Sequence, residues 1–271
     1  MTAPLIAFIG GGNMATAIIG GLIRDGHPSQ QILVMDPVDT QRAKLSDTLG
    51  VRTAAAADAS LSDAAVVVWA VKPQQFKEAA GQAGALARGA LHYSVMAGLR
   101  TDDMARLLGS PRIVRAMPNT PALVGQGMTG LYARPEVSAD ERAQVAAMVR
   151  PTGQLVWVND EAQLDAVTAL SGSGPAYVFY FIEAMVQAAQ DMGLSAEQGR
   201  ELALATFGGA TALAAQSSEP PAVLRERVTS KGGTTYAALT HLEAQGVKAS
   251  FVAAMRQAQA RAAELGDEFG K

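Results

Sequence analysis

The segment LIAFIGGGNMATAIIGGLIR, residues 5–24, decides which fold the sequence predicts. Its apolar run LIAFI is short and ends at three glycines, which is typical of a strand buried on both faces and followed by a tight turn. The residues that follow are apolar on most faces, as in a crossover helix. Gly10, Gly12 and Ala15 match the pattern G-x-G-x-x-A between this strand and this helix. A plain turn is the alternative, but the position at the head of an alternating chain favours a dinucleotide-binding turn that includes Asn13 and Met14.

Further apolar, β-branched runs continue the alternation of strands with helix-like spacers. They are ILVM (32–35), AAVVVWAV (64–71), LHYSVMAG (91–98), RIVRAMP (112–118) and QLVWV (154–158). This alternation predicts an α/β fold with a Rossmann-type, doubly wound, mostly parallel sheet. From Leu164 onward the pattern is almost entirely helical, so we predict a dinucleotide-binding domain at 1–160 and an all-α domain at 161–271.

The length, composition and net charge of the chain exclude several classes of function. The 271 residues are 49% hydrophobic and 17% charged, with a net charge of −3, which predicts a globular protein without a basic surface for nucleic acid. Cysteine is absent and the three histidines lie far apart, so no metal site is expected. The N-terminus has no basic leader, and no apolar run reaches the roughly 20 residues of a membrane span. These features predict a cytoplasmic protein.

The helical domain contains a segment that is apolar nearly all round. Ser195 and Gln198 form a capping-box pattern ahead of LALATFGGATALAA, residues 202–215. A domain of this size has little interior for such a helix. We therefore expect a second subunit to cover it.

Asp36 ends the second predicted strand, where a carboxylate commonly accepts both ribose hydroxyls of NAD. An Asp-Pro strand stop is the alternative reading. Arg42 and Lys44 follow closely and could instead bind the 2′-phosphate of NADP. The sequence therefore does not decide whether the cofactor is NADPH or NADH.

Ligands in such sheets bind beyond the carboxyl ends of the strands, so the loops there are candidates. The first, AVKPQ, supplies Ala70, Val71, Lys72 and Pro73 as cofactor candidates. Lys72 is either a catalytic base or, the reading we favour, a strand-end lysine that points to solvent. The other two loops supply Ala97 and Asn119; Asn119 would orient the nicotinamide carboxamide or hinge the domains.

The helix predicted after residue 173 contains no lysine or histidine through Gln190. Related 3-hydroxyacid dehydrogenases use a lysine there to protonate the developing alkoxide. A protonated imine needs no such acid, because the hydride itself cancels its charge. SKGGTT, residues 230–235, places N–H groups and hydroxyls at a helix start, which suits a small carboxylate; an ordinary N-cap by Thr234 is the alternative.

Five motifs together resemble the pyrroline-5-carboxylate reductase family over essentially the whole chain. They are FIGGGNMA (8–15), AVKPQ (70–74), MPNTPALVGQGM (117–128), ALSGSGPAY (169–177) and VTSKGGTTYAAL (228–239). The resemblance implies NAD(P)H-dependent reduction of 1-pyrroline-5-carboxylate to L-proline, the last step of proline biosynthesis. It also implies a helical dimerisation domain, an active site shared across a homodimer, and higher assemblies of dimers.

The resemblance also assigns residues of the SKGGTT loop. Ser230 and the N–H groups of Gly233, Thr234 and Thr235 would hold the substrate carboxylate, with the Thr235 hydroxyl close to the ring nitrogen. Glu219 would make a water-mediated contact. Lys231 departs from a common proline, and Asp36 departs from the small polar or basic residues of NADPH-preferring members. Alternatives are a reductase of another cyclic imine, a 3-hydroxyacid dehydrogenase relative, or a non-catalytic NAD(P)-binding regulator.

Overall fold

The computed structural model describes residues 3–270, and the chain forms two compact units. The sheet unit contains the residues up to Ser173 and those from Ala258 onward, and the helical unit is Gly174–Gln257. The sequence boundary at about residue 160 stays a prediction. The two units are described separately below.

The sheet unit is built on eight strands. In chain order they are β1 (Ile6–Ile9), β2 (Ile32–Met35), β3 (Arg52–Ala54), β4 (Val66–Trp69), β5 (Leu91–Ser94), β6 (Ile113–Met117), β7 (Gly127–Ala133) and β8 (Gly153–Trp157). Their order across the sheet is β3-β2-β1-β4-β5-β6-β7-β8. All neighbouring pairs are parallel except β6 and β7. This confirms the predicted Rossmann-type, mostly parallel sheet.

The central strands are buried on both faces. Every residue of β1, β2 and β4 is buried, which explains their continuous apolar sequences. Ile6 and Phe8 belong to the core on one face, whereas Ala7 and Ile9 belong to the core on the other. β2 and β4 flank β1 on opposite sides, so the strand order reverses at β1 and leaves a crevice beyond its carboxyl end.

Helices cover both faces of the sheet. They are α1 (Asn13–Arg24), α2 (Asp39–Leu49), α3 (Phe76–Ala83), α4 (Thr101–Leu108), α5 (Ala139–Val149) and α6 (Gln163–Val167), which continues into a π-helical turn, Thr168–Gly172. Short 3₁₀ turns lie at Ser29–Gln31, Ala59–Asp63, Pro73–Gln75, Thr120–Val124 and Arg150–Thr152.

The helical unit contains α7 (Gly174–Asp191), α8 (Ala196–Gln216), α9 (Pro221–Arg227), α10 (Thr234–Ala244) and the start of α11 (Val247–Phe269), whose end belongs to the sheet unit. Ser195 and Gln198 form both hydrogen bonds of the predicted capping box at α8. No helix within residues 3–270 is long and apolar enough to cross a membrane.

Side chains of the helical unit are largely exposed in the single chain. Only Ala189, Gly199 and Ala203 are buried between residues 174 and 257. Close packing joins α7 to α8, where a Cβ on Gly199 would lie 2.7 Å from that of Ala189. Elsewhere α8 exposes large apolar groups, with Leu202 at 54% and Leu213 at 60%. One chain therefore leaves the apolar faces of this unit unpacked.

Candidate functional site

The sheet unit has a cavity of about 450 Å³ at the carboxyl ends of β1, β2 and β4. Its walls come from the glycine turn at 10–12, from residues 36–38 and 55–57, and from residues 70–72 with the adjoining face of α3. This is the crevice at the point where the strand order reverses, which is the usual dinucleotide site of such sheets.

The glycine turn requires its small residues. Gly10 has φ +97°, and a Cβ there would lie 2.7 Å from the carbonyl oxygen of Ala70. Gly12 precedes the first residue of α1, and a Cβ on it would meet no atom within 4 Å, so its surroundings are open to a ligand. Ala15 is fully buried. The N–H groups of the first turn of α1, at Asn13 and beyond, have no acceptor within the helix, an arrangement that favours anions.

Asp36 is tied to the glycine turn. Its Oδ2 accepts a hydrogen bond from the N–H of Gly11 at 2.8 Å, and its Oδ1 accepts one from the N–H of Val38 at 2.9 Å. A Cβ on Gly11 would lie 2.7 Å from Cδ1 of Leu45, so this third glycine is needed for packing. The motif pattern treats Gly11 as a free position and therefore does not indicate this contact.

Of the two cationic side chains that follow Asp36, Arg42 is bound to neighbouring groups and Lys44 is exposed. Arg42 donates from Nη1 to the backbone oxygen of Asp36 at 2.7 Å and also pairs with the carboxylate of Asp39. Lys44 is exposed on α2. The Arg42 guanidinium thus lies at the end of β2 but already binds two groups of the chain.

The other predicted cofactor residues fall into two groups. Ala70, Val71 and Lys72 line the cavity with the glycine turn, and Lys72 is exposed. A second group lies outside the described lining of this cavity, and its members are Asn13, Met14, Ala15, Pro73, Ala97 and Asn119. Ala97 is exposed beyond β5, and Asn119 follows β6.

The side-chain amide of Asn119 is fully engaged within the sheet unit. Its Oδ1 accepts a hydrogen bond from the N–H of Met128 at 2.8 Å. Its Nδ2 donates to the backbone oxygen and to the hydroxyl of Ser171, both at 3.2 Å. Asn119 therefore fixes the loop after β6 to the start of β7 and to the π-helical turn.

The predicted carboxylate loop opens α10 in the helical unit. Gly232 has φ +78°, and the N–H of Gly233 donates to the backbone oxygen of Ser230 at 3.0 Å. The N-cap residue is Gly233, so the alternative of an N-cap by Thr234 is wrong. The first bond of the helix runs from the N–H of Ala237 to the oxygen of Gly233 at 3.1 Å. The N–H groups of Thr234 and Thr235 precede it and have no acceptor within the helix.

The hydroxyl-bearing residues of this loop are accessible. Ser230, Thr234 and Thr235 are exposed in the single chain. Glu219 is not a free carboxylate, because its Oε1 accepts a hydrogen bond from Nη2 of Arg227 at 2.6 Å. The helix start at α10 thus offers two N–H groups and three hydroxyls to an anion.

A buried charge network that the sequence did not indicate supports the loop between β5 and α4. Arg100 at the N-cap of α4 contacts Asp165 with two hydrogen bonds, of 3.1 and 2.7 Å. Glu161 accepts hydrogen bonds from the N–H of Thr101 at 2.9 Å and from Nη1 of the buried Arg115 at 2.9 Å. Burial lowers the pKa of Arg115, and Glu161 opposes this effect. Among residues 3–270 no group of three potential metal ligands comes together.

Comparison with known proteins shows similarity along the whole chain. The family model described as pyrroline-5-carboxylate reductase dimerisation matches residues 161–265, and one described as NADP oxidoreductase, coenzyme F420-dependent, matches residues 5–98. The pyrroline-5-carboxylate reductase of Pseudomonas aeruginosa is 44% identical over 273 aligned residues, which cover 100% of both chains. The chain belongs to the pyrroline-5-carboxylate reductase family.

Solved structures of the pyrroline-5-carboxylate reductase family agree. The Coxiella burnetii reductase shares 37% identity, with a TM-score of 0.90 and coverage of 97% of this chain and 98% of that one. The Plasmodium falciparum reductase, solved with NADP bound, shares 26% identity, with a TM-score of 0.86 and coverage of 98% and 99%. The dimerisation match includes the whole helical unit, so the expectation that this unit associates with another subunit is confirmed at the level of an oligomer.

Proposed function

We propose that this protein reduces 1-pyrroline-5-carboxylate to L-proline with NADPH or NADH, as the last step of proline biosynthesis. The observation that carries the proposal is the 44% identity to a reductase of that name over the full length of both chains. The match extends over both candidate regions, the glycine turn and the loop at 230–235.

The sheet unit would hold the dinucleotide. In this proposal the N–H groups of residues 12–14 bind the pyrophosphate at the start of α1, and Ala15 allows the close packing of that helix. Asp36 keeps the glycine turn in place through its bond to Gly11. Residues 70–73, Ala97 and Asn119 bind or position the remainder of the cofactor. The reduced nicotinamide supplies a hydride.

The helical unit would hold the substrate. The N–H groups of Thr234 and Thr235 bind the carboxylate together with the hydroxyl of Ser230. Gly233 contributes chiefly by its shape, because a Cβ there would lie 2.7 Å from Oγ of Ser230 and its N–H already binds the oxygen of Ser230. The Thr235 hydroxyl accepts a hydrogen bond from the protonated ring nitrogen. Glu219, held by Arg227, contacts the substrate through water.

The absence from α7 of a lysine or histidine that could donate a proton supports an imine as the substrate. α7 contains no lysine or histidine between Gly174 and Asp191. Hydride addition to the cationic C=N carbon forms one C–H bond and leaves a neutral amine, so the step itself needs no proton donor. Orientation of the two reactants by these sites would contribute about 7–11 kcal/mol in favourable cases. We further propose a homodimer, or an assembly of dimers, as the working form.

The proposal is tested by mixing the protein with the pyrroline and NADPH or NADH. Oxidation of the cofactor is followed by the absorbance of the reduced nicotinamide. We expect oxidation of NADPH or NADH with this substrate and none with other cyclic imines, and we expect no reduction of NAD(P)⁺ with a panel of 3-hydroxyacids. Absence of oxidation with either cofactor would contradict the proposed function. A non-catalytic regulator would bind the dinucleotide without turnover.

Thr235→Val tests the assigned role of the hydroxyl. A hydrogen bond to a charged group contributes about 1.5–3 kcal/mol, so turnover should fall by about 10- to 100-fold while NADPH affinity stays unchanged. Thr240→Val is the matched control, because Thr240 lies on the same helix and its hydroxyl donates to the oxygen of Tyr236 at 2.8 Å. Equal rates for the two variants would remove Thr235 from the mechanism.

A further inference from the structure

The loop at residues 95–100 joins β5 to α4 and carries Ala97. Met96 and Leu99 point into the core and are each 2% exposed. Gly98, which lies between Met96 and Leu99, has φ +80°, a conformation that other residues rarely adopt. Ala97 is exposed. The loop therefore presents Ala97 on a backbone that is anchored on both sides.

The last two turns of α11 cover this loop. A Cβ on Gly98 would lie 2.9 Å from Cδ2 of Phe269 and 3.3 Å from Cβ of Leu265. These two residues are four positions apart and share one face of the helix. Phe269 also packs against the core cluster that contains Met96 and Leu99. The end of the chain thus closes the space around Gly98.

The same helix end also leaves room for the Arg100 side chain. A Cβ on Gly266 would lie 2.7 Å from Nε and 2.8 Å from Nη2 of Arg100, so any larger residue there would displace the guanidinium from its present position. Arg100 then reaches Asp165, and Thr101 reaches Glu161. Residues at 161–165 and at 265–269 therefore hold the loop from two further parts of the sequence.

We propose that Leu265 and Phe269 are positioning residues for dinucleotide binding, because they fix the loop that presents Ala97. The inference rests on the proposed function, in which Ala97 contacts the cofactor. A loop held in its bound conformation loses less entropy when the ligand arrives, whereas removal of the ring of Phe269 frees the backbone at Gly98.

Phe269→Ala is the test, with Leu155→Ala as its matched control. Leu155 is a partly buried side chain on β8, three strands away from β5, so its truncation also removes packing from the core of the sheet unit but at a distance from the loop. The dissociation constant of NADPH is measured by fluorescence titration, and KM is measured for each substrate. We expect Phe269→Ala to weaken NADPH about tenfold and to leave the KM of the pyrroline within about twofold, the loss expected from ordering one or two groups.

Conservative variants separate positioning from folding. Phe269→Leu should retain most of the NADPH affinity, because it refills the space above Gly98. If Phe269→Ala does not fold, Leu265→Ala replaces it in the same comparison. Equal NADPH affinities in the folded Phe269 or Leu265 variant and in Leu155→Ala would overturn the inference. Wild-type protein that binds NADPH without reducing the pyrroline would instead contradict the proposed function and leave this comparison intact.

Discussion

Acidification should destabilise the sheet unit through one buried histidine. His92 lies on β5 with 0% exposure, and its Nδ1 accepts a hydrogen bond from Nε1 of Trp69 at 3.1 Å. Burial lowers the pKa of His92 from 6.5 to about 4, and the positive charge of Arg112 contributes. Protonation at Nδ1 would also remove the acceptor that Trp69 uses.

The sign and the size of the effect follow from the two pKa values. The folded protein has the lower pKa, so the unfolded chain takes up the proton first as the pH falls. The contribution of His92 to the free energy of unfolding is therefore at its maximum above pH 6.5 and is lost as the pH falls toward 4. Linkage with these pKa values gives a loss of about 2 kcal/mol in the free energy of unfolding between about pH 7.5 and about pH 5.

Urea unfolding followed by circular dichroism, at both pH values, checks this loss. His92→Gln is the comparison, because its amide oxygen can accept from Trp69 but does not titrate. Wild-type protein should lose about 2 kcal/mol more than the variant over this pH range. Other titrating groups are present in both proteins and cancel in the difference. Equal losses would refute the assignment of acid sensitivity to His92.

Three further substitutions have defined outcomes. Gly10→Ala should abolish dinucleotide binding in a fluorescence titration, because its Cβ would overlap a carbonyl oxygen at 2.7 Å and its φ is +97°. Asp36→Asn should weaken the binding of NADH and NADPH alike, because the carboxylate accepts a hydrogen bond from Gly11. Tighter binding of NADPH alone would show instead that the carboxylate contacts the ribose of the cofactor. Glu161→Ala should cost about 3–5 kcal/mol in urea unfolding, since it leaves Arg115 buried without its partner; a loss under about 1 kcal/mol would contradict this.

The sequence predicts the fold best where the signal is local. The strand at 32–35 and the Ser195 capping box match the structure, because apolar runs and caps act over a few residues. β7 escaped the prediction, since its sequence GMTGLYA contains two glycines and its antiparallel pairing with β6 is set by tertiary structure. β3 was not predicted either, because it has only three residues and none of them is buried.

The supports of the candidate site are less visible in the sequence. Arg100 and Asp165 are 65 positions apart, and no periodicity connects them. The contact of Phe269 with Gly98 also joins distant segments, and the alanine-rich pattern of α11 has no marker where the helix enters the sheet unit. Sequence motifs indicate residues that can contact ligands, whereas the residues that keep those motifs in position come from distant segments and are brought together only by the fold.

The sparse interior of the helical unit has a consequence for how this protein is assembled. With three buried residues between positions 174 and 257, this segment gains little hydrophobic stabilisation until another polypeptide covers it. Renaturation from denaturant should therefore show a bimolecular phase, with a rate that rises in proportion to chain concentration. Until that association, residues 174–257 keep many of their apolar side chains exposed, and the sheet unit is complete only once the last turns of α11 have been synthesised.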